Sequence, residues 1–257
     1  VDVYEEKISY YKKEIPIIKV DILPSNFLSY PKGSLISYSP YTYGELSKFG
    51  QSRMNRTQNI DFIMKGIFTE GFPKEKLVYF DYLYVALLRK MSTFESKEFS
   101  VNYGCTSCGA ENIHKGSLFD IVFEDISVPD LPVRLLIEDE LELHFLPLTV
   151  EAFKNLVNLN MLENKTAITA SMVSNTPYDV AYKILAAQTG SILKDIIRLD
   201  ELLYFGVKPI VAKCSKCEFE NKVVLDEPES LVSPFREREG VEGSRIRFGL
   251  QGDNDDN

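Results

Sequence analysis

Tryptophan is absent from this chain, histidine occurs twice and cysteine four times. With only His114 and His144 available, general acid–base chemistry would fall on carboxylates, and no spacing in the sequence groups the carboxylates together. A phosphate-cradling glycine loop, a nucleophile elbow and a histidine-based zinc-protease motif are all missing, which points away from an enzyme. No stretch approaches the roughly 18 consecutive apolar residues of a membrane span, and residues 1–13 are too charged for a signal-peptide core. A soluble, intracellular protein is expected. Positive charge is also short: 29 Lys and Arg face 38 Asp and Glu, a net charge of -9. Affinity for nucleic acid comes largely from cations that release counterions, so this balance argues against nucleic acid as the partner.

Apolar material is plentiful. Hydrophobic residues make up 44% of the 257, with 14 Tyr and 16 Phe, enough for a dense aromatic core. The periodicity predicts an α+β protein. Alternation places strands at 34–39, 97–103, 118–123, 133–137, 140–145 and 208–213. Helical spacing falls at 43–52 (capped by Thr42), 57–69, 74–91, after Pro147 to about Asn158, from Pro177 to Gly190, and 191–205. Before them, 1–33 reads as an extended arm or edge strand followed by a loop. Asp81 and Glu75, and Asp200 with Glu201, stand near helix starts, where the helix dipole favours a carboxylate without a catalytic role.

The four cysteines form two Cys-x-x-Cys pairs, Cys105 with Cys108 and Cys214 with Cys217. Each pair follows a predicted strand and precedes an extended segment, the layout of a zinc-ribbon knuckle. Two such pairs supply four thiolates, which close a tetrahedral structural Zn²⁺ site and leave no position for a substrate. Redox chemistry, disulfides and four unliganded thiols are the competing readings at this point. His114 is a surface residue or a substitute ligand, and His144 a half-buried strand residue.

The eight residues from Cys105 to Asn112 match those from Cys214 to Asn221 at four positions, both cysteines and the final Glu-Asn. Pro40-Tyr41-Thr42 likewise matches Pro147-Leu148-Thr149, which suggests an internal duplication. The chain therefore divides into an N-terminal arm (1–33), a first helical half with the first knuckle (34–128), a second helical half with the second knuckle (129–225) and a polar C-terminal tail (226–257). In this reading the two helical subdomains, with their short antiparallel strands, are joined by a four-cysteine zinc ribbon. Metal closing a loop of about a hundred residues would lock the halves together, so its loss is expected to loosen the whole fold. Tyr41, Tyr43, Tyr79 and Tyr82 are candidates for subunit contacts or core. The apolar residues Leu231, Val232, Phe235, Ile246, Phe248 and Leu250, scattered through the tail, are expected to order on a partner.

The run Gly66-Ile67-Phe68 through Gly71-Phe72, Lys76-Leu77, Phe80-Asp81-Tyr82-Leu83-Tyr84 and Leu87-Leu88-Arg89-Lys90 leads by a strand into Cys105 and Cys108. That order resembles the baseplate hub distal subunit family of T-even and other contractile-tailed phages, best over residues 34–112. The resemblance implies a non-catalytic virion or assembly component of the tail baseplate, assembled in the host cytoplasm. It implies a symmetric multi-subunit assembly with other hub, tail tube or tape-measure proteins as partners. The arm and the polar tail depart from the family's usual shorter form. The alternative is a zinc-ribbon nucleic-acid-binding or transcription factor, for which Lys213, Lys216 and Lys222 would supply the contacts.

Overall fold

The computed structural model describes residues 15–51, 54–95, 97–128, 130–137, 141–203, 206–224 and 232. The described residues form an α+β fold of helices and small antiparallel sheets. Strand β2 (Leu35–Tyr38) is the centre of the first sheet, flanked by β1 (Ile18–Lys19) and β3 (Ile67–Glu70). Helix α1 (Tyr43–Gln51) starts where Thr42 predicts. The Glu45 amide donates to Thr42 Oγ1 at 3.2 Å and the Thr42 amide donates back to the Glu45 carboxylate at 2.8 Å. Helix α2 (Arg56–Met64) opens on a second reciprocal cap between Asn55 and Gln58.

The helix expected over 57–69 ends at Met64. Residues Ile67 to Glu70 extend instead and pair with β2, with Ile67 opposite Tyr38 and buried. The helix expected from Lys74 is interrupted as well. Lys74–Lys76 makes one 3₁₀ turn, Leu77 and Val78 are extended, and α3 (Tyr79–Thr93) begins only then. The cause lies in the second half of the chain: Leu77 O accepts from Val150 N and Leu148 O accepts from Tyr79 N, both at 2.8 Å. Backbone groups committed to that pairing cannot also continue a helix.

Of the two readings expected for the start of the chain, residues 15–33 take the edge strand followed by a loop, and both pack into the core. Val20, Leu23 and Tyr30 are core residues, and Ser25 is fully buried. They are tied to α3 by Asp81, whose carboxylate accepts from Ser25 N at 3.0 Å, Ser25 Oγ at 2.5 Å and Tyr30 Oη at 2.6 Å. Asp81 does stand in the first turn of its helix, as expected, and is in addition a buried anchor. Burial pushes it up to about 6, against the downward pull of Ser25 and Tyr30. A folded-state value above the ordinary 3.8 means that the native state keeps a proton the unfolded chain has released. The contribution to stability is then full below about pH 4 and is lost as pH rises through 6. Urea denaturation of wild type and Asp81→Asn should show their stability difference shrinking by on the order of 2 kcal/mol between about pH 4 and pH 7. A difference that widens over that range would mean the three donors favour the ionised form.

The second half opens with a hairpin of β6 (Val133–Ile137) and β7 (Leu141–Phe145), as predicted. Helices α4 (Val150–Asn158), α5 (Lys165–Ser171), α6 (Tyr178–Ala186) and α7 (Gly190–Leu203) follow. Helix α5 was not foreseen: it is short, and Asn164 starts it by accepting from Ala167 N. The segment expected as a strand at 118–123 is a 3₁₀ turn, Leu118–Asp120, capped by Ser117. The described residues therefore hold three helices before the first cysteine pair and four before the second, and the sheet made by β1, β2 and β3 has no counterpart in the second half.

One core runs through both halves. Tyr79 stacks on Phe153 at 3.9 Å between ring centres, and Ile126, Val128, Leu135 and Phe145 belong to the same cluster as Leu83 and Val85. The boundary expected at 128/129 passes through this core. Val232, in the stretch expected to be a partner-ordered tail, is buried in it too; the rest of 226–257 and residues 1–14 lie outside the described residues. Tyr41, Tyr79 and Tyr82 are core residues, whereas Tyr43 is 87% exposed. No helix among the described residues is long and apolar enough to cross a membrane.

Candidate metal centre

Each cysteine pair sits in the turn of a hairpin. The first hairpin joins β4 (Glu98–Gly104) to β5 (Glu111–Ser117) and the second joins β8 (Ile210–Lys213) to β9 (Glu220–Val223). The turns are built alike: Cys105 N donates to Ala110 O at 2.8 Å and Gly109 N to Cys105 O at 2.9 Å. In the second, Cys214 N donates to Phe219 O at 2.9 Å and Glu218 N to Cys214 O at 3.0 Å. Both turns need a left-handed residue, Gly109 at φ +71° and Glu218 at φ +61°. Glycine takes that conformation freely, while Glu218 holds it at a cost of about 1–2 kcal/mol, so something must over-determine the second turn.

The hairpins pack on one another through a small cluster of Tyr103, Ala212 and Val223, which the half-buried Val101 and Ile210 connect to the main core. Tyr103 Oη crosses between them and donates to Lys213 O at 2.7 Å. This brings the four sulfurs together, all within 4.8 Å of one another. Cys105 Sγ lies 3.6 Å from Cys217 Sγ, and Cys108 Sγ lies 3.7 Å from Cys214 Sγ. A tetrahedral four-sulfur site with bonds of about 2.3 Å has edges of about 3.8 Å, so the spacing fits a bound metal ion. Cys105, Cys108, Cys214 and Cys217 would hold it. Cys105 and Cys214 are buried at the root of the site, and Cys108 and Cys217 are exposed at its tip.

Local amides prepare the sulfurs for this task. The backbone N–H groups of Cys217 and Lys216 pull the Cys214 thiol down to about 6, and the Lys216 amide lies 3.4 Å from its sulfur. Burial works to raise Cys105, yet the amides of Cys108 and Ser107 and the side chain of Asn221 carry it below the ordinary thiol value. Cys217 moves the other way. The Phe219 amide lowers it, but hydrogen bonding to Cys108, burial and the sulfurs of Cys105 and Cys214 outweigh that and hold it up to about 12. Four thiolates this close repel one another, and a divalent cation removes the repulsion.

Neither histidine joins the cluster. His114, on β5, rests its ring 5.9 Å from that of Phe99, and His144 Nε2, on β7, lies 3.1 Å from Glu142 Oε2. Two residues that motif reading did not single out do belong to the site: Asn112 and Asn221, each seven positions after the first cysteine of its pair and buried between the knuckles. Their signal was present in the repeat, as the Glu-Asn shared by both copies. The fold and site define the class as an α+β protein with a four-cysteine centre assembled from two hairpins. A scan against family models and searches of curated proteins and of solved structures returned no match.

Proposed function

We propose that this chain is a non-catalytic structural or assembly protein of a contractile phage tail baseplate hub, with one structural zinc ion held by Cys105, Cys108, Cys214 and Cys217. The observation that carries the reading is the closed ring of four sulfurs contributed equally by two hairpins far apart in sequence. Four thiolates fill a tetrahedral shell and keep no place for water or substrate, and zinc is the metal that such ribbon knuckles favour. The hub assignment rests on the resemblance over residues 34–112. Gly66 abuts the Arg89 side chain, and Leu77, Asp81, Tyr82, Leu83 and Arg89, which help carry the likeness, are buried. What they would share with that family is a core and not a reactive site. Exposed Tyr43, Leu193 and Ile197 offer apolar surface to hub, tube or tape-measure neighbours.

The nucleic-acid reading has less behind it. Lys213, Lys216 and Lys222 around the second knuckle are matched by Glu218 and Glu220 and by Glu111 of the first, and Lys213 pairs with Glu220 at 3.5 Å. Such a face has no surplus of cations to exchange for counterions. Co-expression with tail tube, hub and tape-measure proteins of a contractile-tailed phage is the test. The expected result is a stoichiometric complex that co-elutes on size exclusion and carries about one zinc per copy of this chain. Retention of duplex DNA that weakens steeply with salt, with no protein complex formed, would reject the proposal.

A further inference from the structure

We infer that Asn112 and Asn221 form a crossed clasp, each amide fixing the buried cysteine of the opposite knuckle; this deepens the metal reading above and rests on it. A side-chain amide has one oxygen with two lone pairs and one nitrogen with two protons. Both asparagines use all of them. Asn112, on β5, accepts at Oδ1 from Ser215 N at 2.9 Å and Ser215 Oγ at 2.8 Å, inside the second knuckle. Its Nδ2 donates to Ala110 O of its own turn at 2.8 Å and to Cys214 Sγ at 3.6 Å. Asn221, on β9, mirrors this arrangement. It accepts from Thr106 N at 2.9 Å and Thr106 Oγ1 at 3.1 Å, and donates to Phe219 O at 3.0 Å and Cys105 Sγ at 3.7 Å.

Each amide therefore ties its own turn to the residue that follows the first cysteine across the interface. Both N–H···S bonds end on the buried sulfurs, Cys105 and Cys214. A donor beside a thiolate stabilises its charge, and partners outside the ligand shell orient the ligands themselves. Aspartate would keep the accepting oxygen but place a second negative charge against the sulfur. Glutamine is one methylene too long for both ends of the contact at once. The clasp also explains how Glu218 is kept left-handed. Asn221 grips the Phe219 carbonyl on one side of that turn while its partner holds Ser215 on the other. Metal affinity and the pairing of the two hairpins are thereby one property, set by two side chains that touch no metal.

The test is titration of the reduced full chain with Co²⁺, whose thiolate charge-transfer and visible bands report tetrahedral sulfur ligation, followed by competition with Zn²⁺. Wild type, Asn112→Asp and Asn221→Asp are compared. Each variant is expected to bind about 10–100-fold more weakly, by similar factors, and to shift the charge-transfer band. Wild-type affinity and band positions in both variants would overturn the clasp and leave the metal reading standing. A wild type that takes up neither Co²⁺ nor Zn²⁺ would defeat both. Wild type loaded with cadmium-113 supplies a readout that needs no variant to fold. The Nδ2 protons of Asn112 and Asn221 should couple to the metal across the N–H···S bonds, and absence of coupling at both would also overturn the proposal.

Discussion

Stripping the metal with a strong chelator under reducing conditions is expected to abolish hydrogen-exchange protection in β4, β5, β8 and β9 while leaving α3 protected. The hairpins share a small cluster of three buried residues, flanked by the half-buried Val101 and Ile210, and two knuckle turns of six residues cannot hold themselves. Structural zinc supplies about 10–16 kcal/mol in isolated finger peptides, far more than that cluster can. The body of the protein is different, because Tyr79, Phe153, Leu83 and Phe145 join both halves in one core without help from the sulfurs. Cys214→Ser, which removes a buried ligand, should reproduce the effect and release the metal. Protection lost from α3 together with the hairpins would make the ribbon a keystone of the whole fold, as the loop-closure argument from sequence expects. Protection unchanged everywhere would mean that no metal holds the hairpins.

Arg89 should be the most costly single side chain to remove from the body of the fold. It is fully buried on α3 and reaches two helices and the loop after β2: Nε donates to Ser39 O at 2.7 Å, Nη1 to Ile63 O at 2.9 Å and Nη2 to Glu45 Oε1 at 2.9 Å. Its guanidinium lies 3.7 Å over the Tyr41 ring. Burial raises the Glu45 carboxyl, but the Thr42 amide and Arg89 more than reverse this and hold it below the ordinary range. Arg89→Met would take the charged partner from that carboxylate and one donor from each of two carbonyls, a loss of about 3–5 kcal/mol in urea denaturation. Lysine should not rescue it, since one ammonium cannot reproduce a planar fork.

The same contact predicts an effect at Gly66, where a Cβ would stand 2.1 Å from Arg89 Cζ. Gly66→Ala must displace the guanidinium from all three partners and should cost nearly as much as Arg89→Met. Combining the two should cost much less than their sum, because methionine can bend away from the added methyl. Strict additivity would show that Gly66 and Arg89 act independently.

Much of the local structure was legible beforehand. Thr42 with Glu45 starts its helix as the cap pattern predicts, Thr149, its match in the repeat, does the same with Ala152, and β6, β7 and α4 fall within a residue or two of their expected bounds. The errors share a cause. Residues 57–69 have helical spacing throughout, yet Ile67 to Glu70 complete a sheet whose other strands lie thirty and nearly fifty positions earlier. Residues 74–91 have it too, but Leu77 and Tyr79 pair with residues around Thr149. Local periodicity was outweighed in each case by backbone hydrogen bonds to distant chain.

By itself, the sequence determined the two knuckles and the helix caps, because each is a contest among residues within about one turn of one another. The tertiary structure alone decided that Asn112 serves Cys214, that Asp81 anchors Ser25 and that Arg89 gathers Ser39, Ile63 and Glu45. Those pairs are separated by 102, 56, 50, 26 and 44 positions. A buried polar group must find a partner wherever the packed core puts one, and which residue that is depends on the completed fold.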